Sequence, residues 1–331
     1  MIRIAGTPER LRPHIKTHKS AELVLLQMER GISKFKCATL TEAKLLASIG
    51  APDVLVAIPL IGPSQVAFLR LQIAFPETKF SVLIDSEASL MAWDETMMDE
   101  HINVFVDIDL GQGRTGAKPL VVPNLIRRIQ TKEIFSLSGL HCYDGHIHEI
   151  KPDKRSEMVS RAFAKIKPIA SDLLKEDDSI EIVCGGSITF PIHAEYKERT
   201  LSPGTTVLWD AGYSVYEDLP FQSAAVLLAR VISKPDDDQL CIDLGTKAVS
   251  SEMPHPRIQL PDIGTFETIM HNEEHMVIKT HLADNYGIGD ELYAIPVHIC
   301  PTVAMYDQVV VEDDDIIDTW EIGARNRQLI L

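Results

Sequence analysis

Two lysines and two histidines crowd the segment Leu11-Arg12-Pro13-His14-Ile15-Lys16-Thr17-His18-Lys19, at the end of an apolar run. A lysine at the C-terminal end of a barrel strand faces the pocket, where its amine can form a Schiff base and then move a proton. The same residues also suit a solvated polar loop. In Val106-Asp107-Ile108-Asp109-Leu110-Gly111-Gln112-Gly113-Arg114-Thr115-Gly116, a strand ends in a glycine-rich turn that lets Arg114 reach into a cleft. Tyr143, in Gly139-Leu140-His141-Cys142-Tyr143, is either a ring beside a ligand or an ordinary strand-end aromatic. Cys184-Gly185-Gly186-Ser187-Ile188-Thr189 joins a strand to a short helix; such glycines let backbone N–H groups approach an anion. Pro296-Val297-His298-Ile299-Cys300 reads as strand, which would put His298 and Cys300 on one face. An imidazole and a thiolate together prefer zinc, though a buried strand pair satisfies the spacing equally well. His141, His146 and His148 read as surface-loop histidines.

These groups need elements to hold them. Strand-like runs occur at Leu11–Ile15, Ile32–Cys37, Val54–Pro59, Phe80–Ile84, Val104–Ile108, Leu137–Tyr143, Ile180–Cys184 and Thr206–Trp209. Helical spacing fills most of the gaps. One helix runs between Ser20 and Gly31; another starts at a Thr39/Glu42 capping box and stops at Gly50. About eight strands alternating with helices predict an α/β fold, a (β/α)8 TIM-like barrel, with a doubly wound sheet as the alternative. From about Phe221 the pattern changes to β-alternation and turns, at Ala225–Ile232, Leu240–Leu244, Met276–Lys279, Leu292–Val297 and Val309–Val311. The expected division is a barrel over 1–221 and a mostly antiparallel β domain over 222–331.

Taken together, these segments resemble the D-threonine aldolase and D-serine dehydratase family, whose barrel is related to that of alanine racemase. The likeness runs from RPHIKTHK to the GDELYAIPVHICPT stretch and beyond. It implies pyridoxal 5′-phosphate (PLP) bound covalently at Lys16, with Lys19 the competing choice. Arg114 would approach the cofactor's phenolic oxygen, Tyr143 would stack on or bond near the ring, and Gly186, Ser187 and Tyr213 would hold the phosphate end. His298 and Cys300 would hold a divalent metal. The family's dehydratases carry His-x-Cys and bind zinc, whereas its aldolases typically carry His-x-Asp, so the resemblance implies dehydration of D-serine or D-threo-3-hydroxyaspartate. Retro-aldol cleavage to glycine and an aldehyde is the alternative, and an amino-acid racemase or a non-catalytic PLP carrier is the reading from another class. Racemases place an arginine before the Pro-Gly where this chain has Ser202, which argues against racemase chemistry. The family also carries a strand and most of a helix ahead of the lysine strand, so the opening Met1-Ile2-Arg3-Ile4 suggests that this N-terminal part is missing. The resemblance implies a homodimer.

Composition bounds the partners. The 331 residues carry a formal net charge of −16, and such a surface repels nucleic acid and anionic lipid, leaving a small D-amino acid as the expected partner. Five scattered cysteines without a CxxC pair fit a reducing cytoplasm. The longest apolar run, Val54–Ile61, is too short for a membrane span and is interrupted by Pro59. The acidic stretches Asp236–Asp238 and Glu312–Asp315 read as solvated turns.

Overall fold

Strands β1 to β7 cover Lys34–Cys37, Asp53–Val56, Lys79–Ile84, Ile102–Asp107, Phe135–Cys142, Glu181–Cys184 and Arg199–Leu201. They pair in parallel with their chain neighbours, in unbroken order. The computed structural model describes residues 1–96, 100–313 and 316–326. It comprises two compact units, the first from Met1 to Gly204 and the second from Thr205 to Arg325.

In the first unit the sheet closes on itself through Leu11–His14. The Arg12 amide donates to Leu201 O (2.8 Å), the His14 amide to Pro203 O (2.8 Å), and the Lys36 amide to Pro13 O (2.9 Å). The segment thus bridges the last strand to the first, which excludes the doubly wound sheet and makes a barrel. Helix α1, Ile2–Ala5, precedes the closing segment, and helices α2 to α9 follow it along the barrel, at Ala21–Glu29, Leu40–Ser48, Pro63–Ala74, Glu87–Thr96, Val122–Gln130, Pro152–Ala164, Lys167–Glu176 and Phe190–Ala194. The strands read as near-continuous apolar runs because both of their faces are covered.

Two readings change at this level. Thr206–Trp209 is not a strand: Thr205–Val207 forms a 3-10 turn, and Arg199–Leu201 supplies the stave instead. Three residues, one of them a buried arginine, are too few to show a period. At the start of α3, Thr39 Oγ1 accepts the Glu42 amide (3.1 Å), as a capping box requires. The Glu42 carboxylate, however, accepts from the Ala38 amide (2.6 Å) and pairs with Lys19.

The N-terminal end of the barrel is plugged by charge. Arg12 is fully buried and pairs with Asp53 (2.6 Å) and Glu181 (2.8 Å), the first residues of β2 and β6. Inside lie Leu55, Leu83, Phe105 and Val183. Polar chemistry is thereby left to the opposite, C-terminal end.

The second unit holds strands β8 to β15, at Leu227–Asp236, Gln239–Ile242, Ile258–Gln259, Glu267–His271, Met276–Lys279, Glu291–Pro296, Gln308–Asp313 and Ile316–Glu321. Six form an antiparallel sheet ordered β10-β13-β8-β9-β12-β11, and β14 pairs with β15. Residues 205–224 belong here because the Ala211 and Gly212 amides donate to Pro296 O and Val297 O, and the Ala224 amide to Leu208 O. The compact unit therefore begins before the change in sequence pattern near Phe221. Asp236–Asp238 does form the β8–β9 turn, whereas Glu312 and Asp313 end strand β14 rather than form a turn, and Asp314 and Asp315 lie outside the described residues. Among the described residues, no helix is long and apolar enough to cross a membrane.

Candidate active site

At the C-terminal end of the barrel lies a cavity of about 270 Å³, lined by His14, Lys16, Lys36, Arg114, His141 and Tyr143. Three of the predicted residues, Lys16, Arg114 and Tyr143, therefore meet in one place. Lys16 Nζ is 6.0 Å from the centre of the Tyr143 ring, Lys36 Nζ 5.5 Å and Arg114 Cζ 5.4 Å. Three cationic side chains around one aromatic face make a pocket for a flat anion.

The histidines beside Lys16 act as caps. His14 Nδ1 accepts the Lys16 amide (3.3 Å), which fixes the 3-10 turn Ile15–Thr17, and His18 Nδ1 accepts the Ser20 amide (3.3 Å). Burial, reinforced by Lys16 and Lys36, pushes the basicity of His14 well down. Burial takes His18 to about 3. Lys19 pairs with the buried Glu42 and does not line the cavity.

The glycine-rich turn after β4 folds back on its own strand. Asp109 Oδ1 accepts the Gly111 (2.9 Å) and Gly113 (3.0 Å) amides, and the Ala117 amide donates to Asp107 O (2.8 Å). At Gly116, with φ 104°, a Cβ would stand 2.5 Å from the Asp109 amide nitrogen, so only glycine lets the turn close. That closure aims Arg114 at the cavity.

Beneath it runs a hydrogen-bonded chain that sequence reasoning missed. Thr115 Oγ1 donates to Asp107 Oδ2 (2.9 Å), His141 Nδ1 meets Asp107 Oδ1 (2.7 Å), and His141 Nε2 lies 3.4 Å from Lys36 Nζ. His141 is therefore not a surface-loop histidine; it is buried on the inner face of β5, two residues before Tyr143. The period of two along that strand was the available signal. Burial and the charge on Lys36 lower His141, so its neutral form donates from Nδ1 to Asp107. For Asp107, burial works upward, but the bonds from His141 and Thr115 win and hold it below the usual carboxylate range.

The Gly185–Thr189 turn is organised from within. The Gly186 amide donates to Thr189 Oγ1 (2.9 Å), which donates to Asp144 Oδ1 (2.7 Å), and His193 Nε2 meets Asp144 Oδ2 (2.9 Å). A Cβ on Gly186 would come within 3.2 Å of the Tyr143 ring edge. Ser187 Oγ accepts the Gly204 amide (3.3 Å). Ser202, in the place of the racemase arginine, donates to Arg12 O (2.9 Å) and so helps to close the barrel. A lysine amine, two further cations and a glycine packed at the edge of an aromatic ring fit PLP.

In the second unit, β13 ends at Pro296, and His298 is the N-cap of the short helix α10, Ile299–Val303. This corrects the strand reading of His298 and Cys300. The two side chains nevertheless come together. Their mutual hydrogen bond, together with Glu252, outweighs partial burial and raises His298 to about 9. Glu252 Oε1 sits 2.5 Å from His298 Nδ1, which leaves Nε2 as the remaining donor nitrogen. A carboxylate behind a ligating imidazole is the usual support of a metal site, and the donor set fits a soft divalent ion. Among the described residues, no cluster of three or more His, Cys, Asp or Glu donors exists. Tyr213 packs against Trp209 (ring centres 5.2 Å apart), and its amide donates to Asp210 Oδ1 (2.9 Å).

Comparison with known proteins agrees with this geometry. The alanine racemase N-terminal domain family matches residues 1–208, and a family described as a putative serine dehydratase domain matches 224–312. D-threonine aldolase of Arthrobacter sp. is 30% identical over 329 residues, covering 95% of this chain and 85% of that protein. D-threo-3-hydroxyaspartate dehydratase of Delftia sp. is 25% identical, covering 94% and 89%. The crystal structure of D-threonine aldolase from Filomicrobium marinum superposes with a TM-score of 0.87 at 23% identity, covering 98% and 91%. The chain belongs to the D-threonine aldolase and D-serine dehydratase family of alanine-racemase-like proteins. It is an enzyme of a PLP-dependent lyase family acting on D-hydroxy amino acids.

Proposed function

We propose that the protein is a PLP- and divalent-metal-dependent lyase that removes water from D-β-hydroxy-α-amino acids of the D-serine or D-threo-3-hydroxyaspartate type. The observation that carries the lyase reading is the presence of Lys16, Arg114 and Tyr143 on one cavity at the barrel rim. The His298–Cys300 pair, backed by Glu252, supports the dehydratase choice and zinc as the ion.

PLP, when bound, supplies an electron sink for negative charge developing at Cα, and zinc on His298 and Cys300 supplies a Lewis acid. The protein's own groups do the rest. The Lys16 amine exchanges the proton at Cα. Arg114 stabilises a negative oxygen beside the Tyr143 face, and that ring excludes water from one side of the pocket. Gly186 and Ser187 form the proposed phosphate end. Tyr213, in the second unit, is assigned to the cofactor by resemblance alone. A cytoplasmic homodimer completes the proposal.

Retro-aldol cleavage is the second reading, favoured by the 30% identity to a D-threonine aldolase. Products separate the two on a panel of D-serine, D-threonine and D-threo-3-hydroxyaspartate, with and without chelator. Pyruvate, 2-oxobutanoate or oxaloacetate with ammonia marks dehydration, whereas glycine with an aldehyde marks cleavage. Chelator-insensitive loss of optical rotation without either product would point to a racemase. Borohydride treatment is expected to leave a pyridoxyl group on Lys16; its absence there would overturn the assignment.

A further inference from the structure

Lyase chemistry on a β-hydroxy amino acid moves protons at two atoms, Cα and the β-oxygen, and the assignments so far supply a proton carrier only for Cα. We propose that Lys36 is the second proton-exchanging group of this cavity, held by the chain through His141, Asp107 and Thr115 to serve the substrate's β-oxygen. The inference rests on the lyase reading and adds to it a residue and a role.

The cavity wall narrows the choice. A guanidinium does not titrate in a protein, which removes Arg114. His14 spends Nδ1 on the Lys16 amide and is held neutral, and His141 donates to Asp107. Thr115 donates its hydroxyl to Asp107. Lys36 remains. It is the penultimate residue of β1, is buried, and lines the same cavity as Lys16.

The charges facing Lys36 come from three parts of the barrel. Lys16 and Arg12 of the 11–17 segment oppose its proton, while Asp107 of β4 and Asp144 after β5 favour it. Burial and Lys16 win, lowering the amine to about 7. An amine in that range exchanges protons readily in both directions at neutral pH, the condition for efficient acid–base catalysis. His141 Nε2, with Nδ1–H committed to Asp107, is an acceptor for Lys36, so the chain holds the amine in place in either protonation state.

Both reactions balance with this assignment. In dehydration, Lys16 takes the α-proton, the Cα–H pair becomes the second Cα–Cβ bond, and the Cβ–O pair leaves with oxygen. The ammonium of Lys36 gives that oxygen a proton, and water departs. In retro-aldol cleavage, neutral Lys36 accepts the β-hydroxyl proton, the O–H pair becomes the carbonyl, and the Cα–Cβ pair stays on Cα until a proton returns there. The sign of the pH dependence therefore reports the bond broken. A limb near pH 7 falls with rising pH if Lys36 donates, and rises if it accepts.

Two measurements on the cofactor-loaded full chain test the role. With 13C at lysine Cε, one resonance is expected to titrate near pH 7 and to vanish in Lys36→Met. In the product assay, Lys36→Met is expected to lower kcat about 100-fold, with little change in KM, and to erase the limb. Lys36→Arg, which keeps the charge but cannot titrate, should do the same. His141→Gln keeps Lys36 and should displace both the limb and the resonance, so the test survives if Lys36→Met fails to fold. A Lys36 resonance that titrates only above pH 9, or a wild-type profile unmoved by these substitutions, overturns the inference alone. A wild type that turns over no D-β-hydroxy amino acid overturns the lyase reading and this inference with it.

Discussion

Lys16 and Lys19 carry the same amine three residues apart, and their surroundings give them different work. Lys16 lines the cavity, whereas Lys19 neutralises Glu42, whose side chain is fully buried at the start of α3. Breaking a buried pair leaves this carboxylate with only the Ala38 amide as partner, which costs about 3 kcal/mol. Lys19→Met should therefore lower the denaturation midpoint yet still yield the pyridoxyl adduct at Lys16 after borohydride. An adduct lost in Lys19→Met and kept in Lys16→Met would reverse the assignment. At the metal pair, His298→Ala and Cys300→Ala are each expected to remove most of the zinc detected by elemental analysis, because two donors leave no redundancy. Glu252→Gln should weaken retention about tenfold, as loss of a supporting carboxylate does.

Among the elements, two have geometry that sequence composition does not announce. Leu11–His14 makes only isolated bridges, yet it closes the barrel, and Arg12 within it ties together the starts of β2 and β6. Arg12→Leu should destabilise the protein by about 3–5 kcal/mol, since Asp53 and Glu181 would both lose their shared partner; equilibrium urea unfolding measures this. The turn carrying Arg114 is equally exacting. Gly116→Ala would force a Cβ against the Asp109 amide, at a φ that alanine disfavours. The expected outcome is weaker retention of PLP, read by dialysis and cofactor absorbance, with the fold intact by circular dichroism. Retention equal to wild type would show that the turn relaxes without moving Arg114.

For the whole molecule, the charge of −16 and the isoelectric point near 5.2 set the solution behaviour. Repulsion between molecules should fade as the pH approaches that value, giving a solubility minimum near pH 5. The protein should also pass through a DNA matrix unretained at low salt; retention would contradict the reading of its surface. Neither property conflicts with the cationic cavity, because a local cluster of cations keeps its own field while the exterior carries the net charge.

The amino-acid sequence by itself determined the alternation of strands and helices, the change to a β unit, and the segments holding Lys16, Arg114 and Tyr143. Those features are local: apolar periodicity, glycine-rich turns and capping residues depend on neighbours a few positions away. It also carried the family likeness. Three-residue Arg199–Leu201 was too short to read, and His298 and Cys300 looked like strand residues until the chain was seen to turn into α10 after Pro296. Only the tertiary structure decided that Leu11–His14 closes the barrel, that Lys19 belongs to Glu42, and that Lys36, His141, Asp107 and Thr115 form one chain. The reason is physical. Burial and the charge of sequence-distant neighbours set the protonation of these groups, and both exist only once the strands have closed around them.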